Sequence, residues 1–69
     1  MKLSARNVLK GKVKSVRDGA VNSEVIVELP GGIEIVSVIT KTSAQSLRLE
    51  VGKDVYAIIK ATNVILGLD

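Results

Sequence analysis

The chain has 69 residues, with ten Lys and Arg against seven Asp and Glu, a formal charge of +3, and neither Cys nor His. These totals exclude a second domain, a disulfide framework and the common transition-metal ligand sets. Apolar residues make up 46% of the chain, yet Tyr56 is its only aromatic residue, so the stacking platforms of small single-strand nucleic-acid binders are missing.

A domain this short buries only about 60% of its unfolded surface, so its own core is marginal. Small scaffolds make up the deficit with disulfides, a metal or partner subunits. The first two are ruled out by composition, and the Val, Ile and Leu content exceeds what one small barrel hides. A homo-oligomer is therefore expected. The N-terminus has no signal-peptide core and no apolar run is long enough to span a bilayer, so the expected location is cytoplasmic, with no membrane partner. The mild positive charge suits small anions, nucleic acid or simple solubility equally.

Taken in order, the chain opens on a polar run, Ser4-Ala5-Arg6-Asn7. It reads either as a solvated arm or as half of an anion site, since hydroxyls and free backbone N–H groups are what bind oxyanions. Asn7 to Arg17 alternates, with Leu9, Gly11 and Val13 on one face and Lys10, Lys12 and Lys14 on the other. That predicts a half-buried strand with a basic, edge-protecting outer face and a bulge or tight bend at Gly11. Asp18-Gly19 predicts a hairpin turn with positive φ at Gly19. A second strand covers Val21 to Leu29, and Pro30-Gly31-Gly32 is a strong turn. The third strand, Ile33 to Thr40, is apolar on both faces, with Ile33, Ile35 and Ile39 opposed to Val36 and Val38. Such a strand needs cover on both sides, and another subunit would supply it.

Thr40 to Leu47 is the only stretch with a helix-start pattern. Thr42 with Gln45 fits a capping box, and Thr40 with Ser43 offers a second register. A turn follows at Glu50 to Lys53, then a fourth strand from Asp54 to Lys60, a break at Ala61-Thr62-Asn63, and a fifth short strand from Val64 to Leu68. The predicted fold is all-β: residues 1–69 form a single domain, a five-stranded OB-like barrel with one short helix between the third and fourth strands.

Catalysis is not expected. No His or Cys can serve as base or nucleophile, paired carboxylates are absent, and a Ser4 or Ser43 dyad with Lys60 would lack an orienting partner. What remains are hydroxyls, backbone amides and cations at element ends: Ser4 and Arg6, Thr40 and Ser43, and Lys60 with Ala61 and Thr62. A tetrahedral dianion asks for several donors from different directions with partial charge neutralisation.

On these residues the chain resembles the molbindins, the small molybdate-binding Mop proteins. The resemblance runs end to end through Ser4-Ala5-Arg6-Asn7, Lys10-Gly11-Lys12-Val13, Asp18 to Val25, the Gly31-Gly32 turn, Ile39 to Ser43, Val51 to Val55 and Ile59-Lys60-Ala61-Thr62. It implies an OB-like barrel assembled as a hexamer, a trimer of dimers, that binds molybdate or tungstate between subunits. It implies no catalytic cofactor, no direct metal coordination and no nucleic-acid partner. By position, Ser4 (hydroxyl) and Arg6 (backbone N–H) would come from one subunit, and Thr40, Ser43, Lys60 and Ala61 from a neighbour. A second oxyanion site would fall at Gly19, Val21 and Asn22. Cavity size would then exclude sulfate, and an all-donor cage would exclude protonated phosphate. Two rival readings stand beside this one: an OB-type nucleic-acid-binding module, and an assembly domain whose anion sites are vestigial.

Overall fold

A computed structural model describes all residues, Met1–Asp69. The elements run β1 (Asn7–Asp18), β2 (Asn22–Glu28), β3 (Glu34–Thr40), α1 (Lys41–Ser46) and β4 (Asp54–Ile59), followed by a 3₁₀ turn at Ala61–Asn63. The strands form one antiparallel sheet in the order β3-β2-β1-β4. β1 is the organising element. Its first half, Asn7 to Lys12, pairs with β4, and its second half, Lys12 to Asp18, pairs with β2. Lys12 is the changeover, opposite both Glu28 and Asp54. A strand shared in this way curls the sheet into most of a barrel.

The bulge in β1 lies at Lys14, not at Gly11: the register with β2 slips between Val13 and Ser15. One extra residue resets the side-chain alternation, which is why Val13 and Val16, three apart, both reach the core. Gly11 has a different duty. A Cβ there would lie 2.5 Å from the Glu28 carbonyl oxygen and 2.9 Å from Val27 Cγ1, so β2 passes too close for any side chain. Gly19 does not take positive φ. The glycines that do are Gly31, Gly32 and Gly52, while Gly19 closes its turn by donating its N–H to the Asn22 carbonyl at 2.8 Å.

The core is Val13, Val25 and Val27, flanked by half-buried Val16, Leu29, Ile35, Ile39, Leu49 and Val55. Ala44 closes one end from the helix. Of the two helix registers, the chain uses the second. Thr40 is the N-cap, its Oγ1 accepting from the Ser43 N–H at 3.1 Å. At the other end the Arg48 N–H donates to the Gln45 carbonyl and the Leu49 N–H to the Ala44 carbonyl. That pairing is a Schellman closure with Arg48 in the left-handed region. Lys53 Nζ donates to the Leu47 and Arg48 carbonyls at 2.8 and 3.2 Å, satisfying carbonyls that the helix leaves open.

The fifth strand does not form. Beyond the 3₁₀ turn, residues 64–69 run without a strand partner, and Ile65 and Leu66 are 93% and 90% exposed. Alternation records that a segment can be half-buried; a strand also needs an edge within reach, and the tail leaves past the end of β4. β3 and β4 are consequently free edges. Between them opens a cavity of about 580 Å³ lined almost entirely by apolar groups, among them Val27, Ile35, Val38, Val55 and Ile59. Val36 and Val38, the second apolar face expected on β3, are 61% and 64% exposed. No helix is long and apolar enough to cross a membrane.

Candidate oxyanion site

The antiparallel register of β1 and β4 pairs Asn7 with Ile59. Just beyond that last pair lie Ser4, Ala5 and Arg6 on one strand's side and Lys60, Ala61 and Thr62 on the other's. All six residues line one cavity of about 520 Å³, with Ile58 and Asn63 completing the wall. Lys60 is extended (φ −64°, ψ 131°) and the chain then tightens into the 3₁₀ turn, with no side chain capping it. The first N–H groups of such a turn have no partner within it.

The charge here is one-signed. Arg6 and Lys60 line the cavity and no carboxylate does. The ion pairs of the chain lie elsewhere: Lys12 with Asp54 at 2.8 Å, and Lys14 with Glu34 and, at 3.7 Å, Glu28. The Lys12 hydrogen bond, reinforced by its charge, holds the Asp54 carboxyl below the usual carboxylate range. The Glu34 hydrogen bond, followed by its charge, raises the Lys14 ammonium. Lys12 and Lys14 are thus paired in place on β1, whereas Arg6 and Lys60 have no carboxylate partner.

Thr40 and Ser43 are not at that end. Asn22 pairs with Thr40, and the Lys41 N–H donates to the Val21 carbonyl at 2.8 Å. The helix start therefore adjoins the Gly19–Asn22 loop at the far end of β1, in a molecule whose longest dimension is 34 Å. Thr40 donates its hydroxyl to Ser43 Oγ at 2.8 Å. Ser23, fully buried, donates to Asp18 Oδ1 at 2.5 Å and clamps the loop from the other side. Within the loop, Val21 is largely exposed and the Gly19 N–H is already engaged by Asn22.

One chain therefore groups the anticipated residues differently from the expected division. Lys60 and Ala61 lie with Ser4 and Arg6, whereas Thr40 and Ser43 lie with Gly19, Val21 and Asn22. The wall also includes Asn63, which no sequence pattern singles out. Its amide oxygen can accept a hydrogen bond, so the one-chain cavity is not a cage of donors alone.

The architecture is that of a small, partly open β-barrel domain with a cationic, hydroxyl-lined cavity at one end. The sequence matches the TOBE domain family over residues 3–66, and the chain belongs to that family. It is 49% identical over 69 residues to a probable molybdenum-pterin-binding protein of Haemophilus influenzae, with both chains covered completely. Among solved structures it resembles the cytoplasmic molybdate-binding protein ModG in a molybdate-bound form, at TM-score 0.96 and 51% identity. The match spans 100% of this chain and 49% of that one. It also resembles MopII from Clostridium pasteurianum, at TM-score 0.92 and 39% identity, covering 97% of this chain and 100% of that one. The first two of these relatives are named for binding molybdenum species.

Proposed function

We propose that this protein binds molybdate or tungstate non-covalently at interfaces between copies of itself, as a cytoplasmic store that buffers molybdenum. One observation carries the reading: Arg6 and Lys60, both without carboxylate partners, line one cavity with the Ser4 hydroxyl and the Ala61 backbone. Two cations without a counter-anion suit a dianion. The names of the relatives, and a molybdate-bound structure among them, favour molybdate as that dianion.

The distance between the two ends of β1 supports a site shared between subunits. Thr40 and Ser43 cannot join Ser4 and Lys60 around one ion within a chain, but a second copy can bring its helix start to this cavity. The exposed tail, the open groove between β3 and β4, and the bare Val36–Val38 face leave apolar surface for such an assembly to cover. A hexamer built as a trimer of dimers fits this need. Tyr56 stands on β4 outside the cavity, so a flat pterin ring would find no aromatic face to stack on. The oxyanion is therefore favoured over the pterin in the relatives' names.

Isothermal titration with molybdate, tungstate and sulfate at neutral pH, alongside sedimentation velocity, tests the proposal. Saturable heat with the two oxometalates, weaker binding of sulfate and a sedimenting oligomer are expected. A monomer that still captures molybdate removes the shared site. An assembly giving no heat with a large excess of molybdate removes the ligand.

A further inference from the structure

We infer that Val64–Leu68 of one chain is the missing barrel strand of a second copy, seated in the groove between that copy's β3 and β4, and that two copies exchange these strands reciprocally. The inference deepens the assembly part of the reading above and is independent of the oxyanion. The sheet order leaves β3 and β4 as free edges, and the groove of about 580 Å³ is the gap between them. Free edges carry rows of unpaired N–H and C=O groups, which pair readily with an added strand.

The segment fits that groove in length, pattern and charge. Ile35 to Ile39 line one side and Val55 to Ile59 the other, five residues each, and Val64 to Leu68 is also five, roughly 17 Å as a strand. No charged residue lines the groove and none lies in the segment. Val64 leaves the 3₁₀ turn already extended, at φ −85° and ψ 122°. Val64, Leu66 and Leu68 alternate with Ile65 and Gly67, so a strand here turns three apolar side chains to one face and Ile65 to the other. Both faces find apolar neighbours, because the exposed positions of the two edge strands include Val36, Val38, Tyr56 and Ile58.

Within its own chain the segment is unused. Ile65, Leu66 and Leu68 are almost fully exposed, and none of them lines the groove. Apolar side chains in water beside an open apolar groove of matching length are both covered when a second copy arrives. Segment and groove are neighbours, since Ile59 lines the one and Val64 begins the other. A two-fold axis near the Ala61–Asn63 turn therefore lets each copy give and receive a strand, which closes the pair instead of propagating a chain.

The test mixes full-length chains carrying isotope-labelled methyl groups with unlabelled chains and records isotope-filtered NOEs. Cross-peaks from Leu66 or Leu68 of one chain to Ile35 or Val55 of another are expected. Contacts confined to one chain would mean that the segment folds back on its own β4, and would overturn the exchange, as would a segment with no contacts at all. Sedimentation equilibrium gives a second reading. Leu66→Asp puts a carboxylate into the groove and should weaken association about 100-fold. Val51→Asp, at an exposed site outside the groove, should change it less than about threefold. Wild-type association in Leu66→Asp, or an equal loss in Val51→Asp, would overturn the proposal. The two readings fail separately: absence of heat with molybdate removes the oxyanion and leaves interchain NOEs standing, whereas a wild-type chain that sediments as a monomer removes the exchange.

Discussion

The two ends of β1 carry similar residue types in opposite states. At the start of the helix, Thr40 and Ser43 are joined to each other and to the backbone, and the neighbouring loop is held by Ser23 and Asp18. At the Ser4–Lys60 end the hydroxyls and cations are uncommitted and surround a cavity. Hydroxyl content alone therefore does not mark a site. The helix end is mostly self-satisfied, with Ser43 Oγ accepting from Thr40. The cavity end is unsatisfied and needs a partner, whether an ion, water or another chain. An interface that brings one of each together would combine a positioned donor with free charge.

The sharpest break in this comparison comes from charge. Lys60→Ala removes a cation that has no carboxylate of its own, so an oxyanion loses a charge-assisted contact, of order 1.5–3 kcal/mol. The expected result is a roughly 10- to 100-fold weaker molybdate affinity by titration. Lys12→Ala removes a cation already committed to Asp54 and should change affinity less than twofold. Equal losses in the two variants would mean that only the overall charge matters, and Lys60 would leave the site.

The helix end is tested through its cap. Thr40→Ala leaves the Ser43 N–H without its acceptor and should cost about 1 kcal/mol of stability in urea melts. Thr40→Ser keeps the oxygen and should stay within a few tenths. Both variants keep the Ser4–Lys60 cavity. If Thr40→Ala destabilised the fold no more than Thr40→Ser, the hydroxyl would not be held by the cap, and the contrast between the ends would fail.

Much of this arrangement is legible before any coordinates, but only where a residue's surroundings are local. The strands follow from alternation, the turn at Gly31-Gly32 from its glycines, and the helix cap from the Thr40–Ser43 spacing. Gly11 was recognisable as special, but not for the right reason, because its neighbour is Glu28 on another strand. The bulge at Lys14 leaves no compositional mark: a lysine in an alternating row looks like any other. The fifth strand failed for the same reason. Alternation from Val64 to Leu68 states what the segment could do, while the edge that it would pair with depends on where β4 delivers the chain. Ser4, Arg6, Lys60 and Ala61 were each identifiable from a family resemblance. That they meet within one chain, and that Thr40 and Ser43 do not join them, follows from a strand register that no local pattern records.

The smallest effect concerns the paired charges Lys12 and Lys14 on the outer face of β1. Asp54 is held below the ordinary carboxylate range by Lys12. Its contribution is therefore present above that range, and is lost as pH falls through the lowered folded value. Lys14 is raised by Glu34, so its contribution is present up to the ordinary lysine range and is lost as pH climbs through the raised value. Both pairs are exposed, so salt should screen most of either effect. Urea midpoints followed from about pH 3 to pH 11 should show a shallow loss at each end. Lys12→Met should flatten the acid limb alone and Lys14→Met the alkaline limb alone, each difference fading in high salt. An acid limb unchanged in Lys12→Met would mean that Lys12 is not committed to Asp54. Lys12 would then be as available to an anion as Lys60, and the charge asymmetry between the face of β1 and the cavity would disappear.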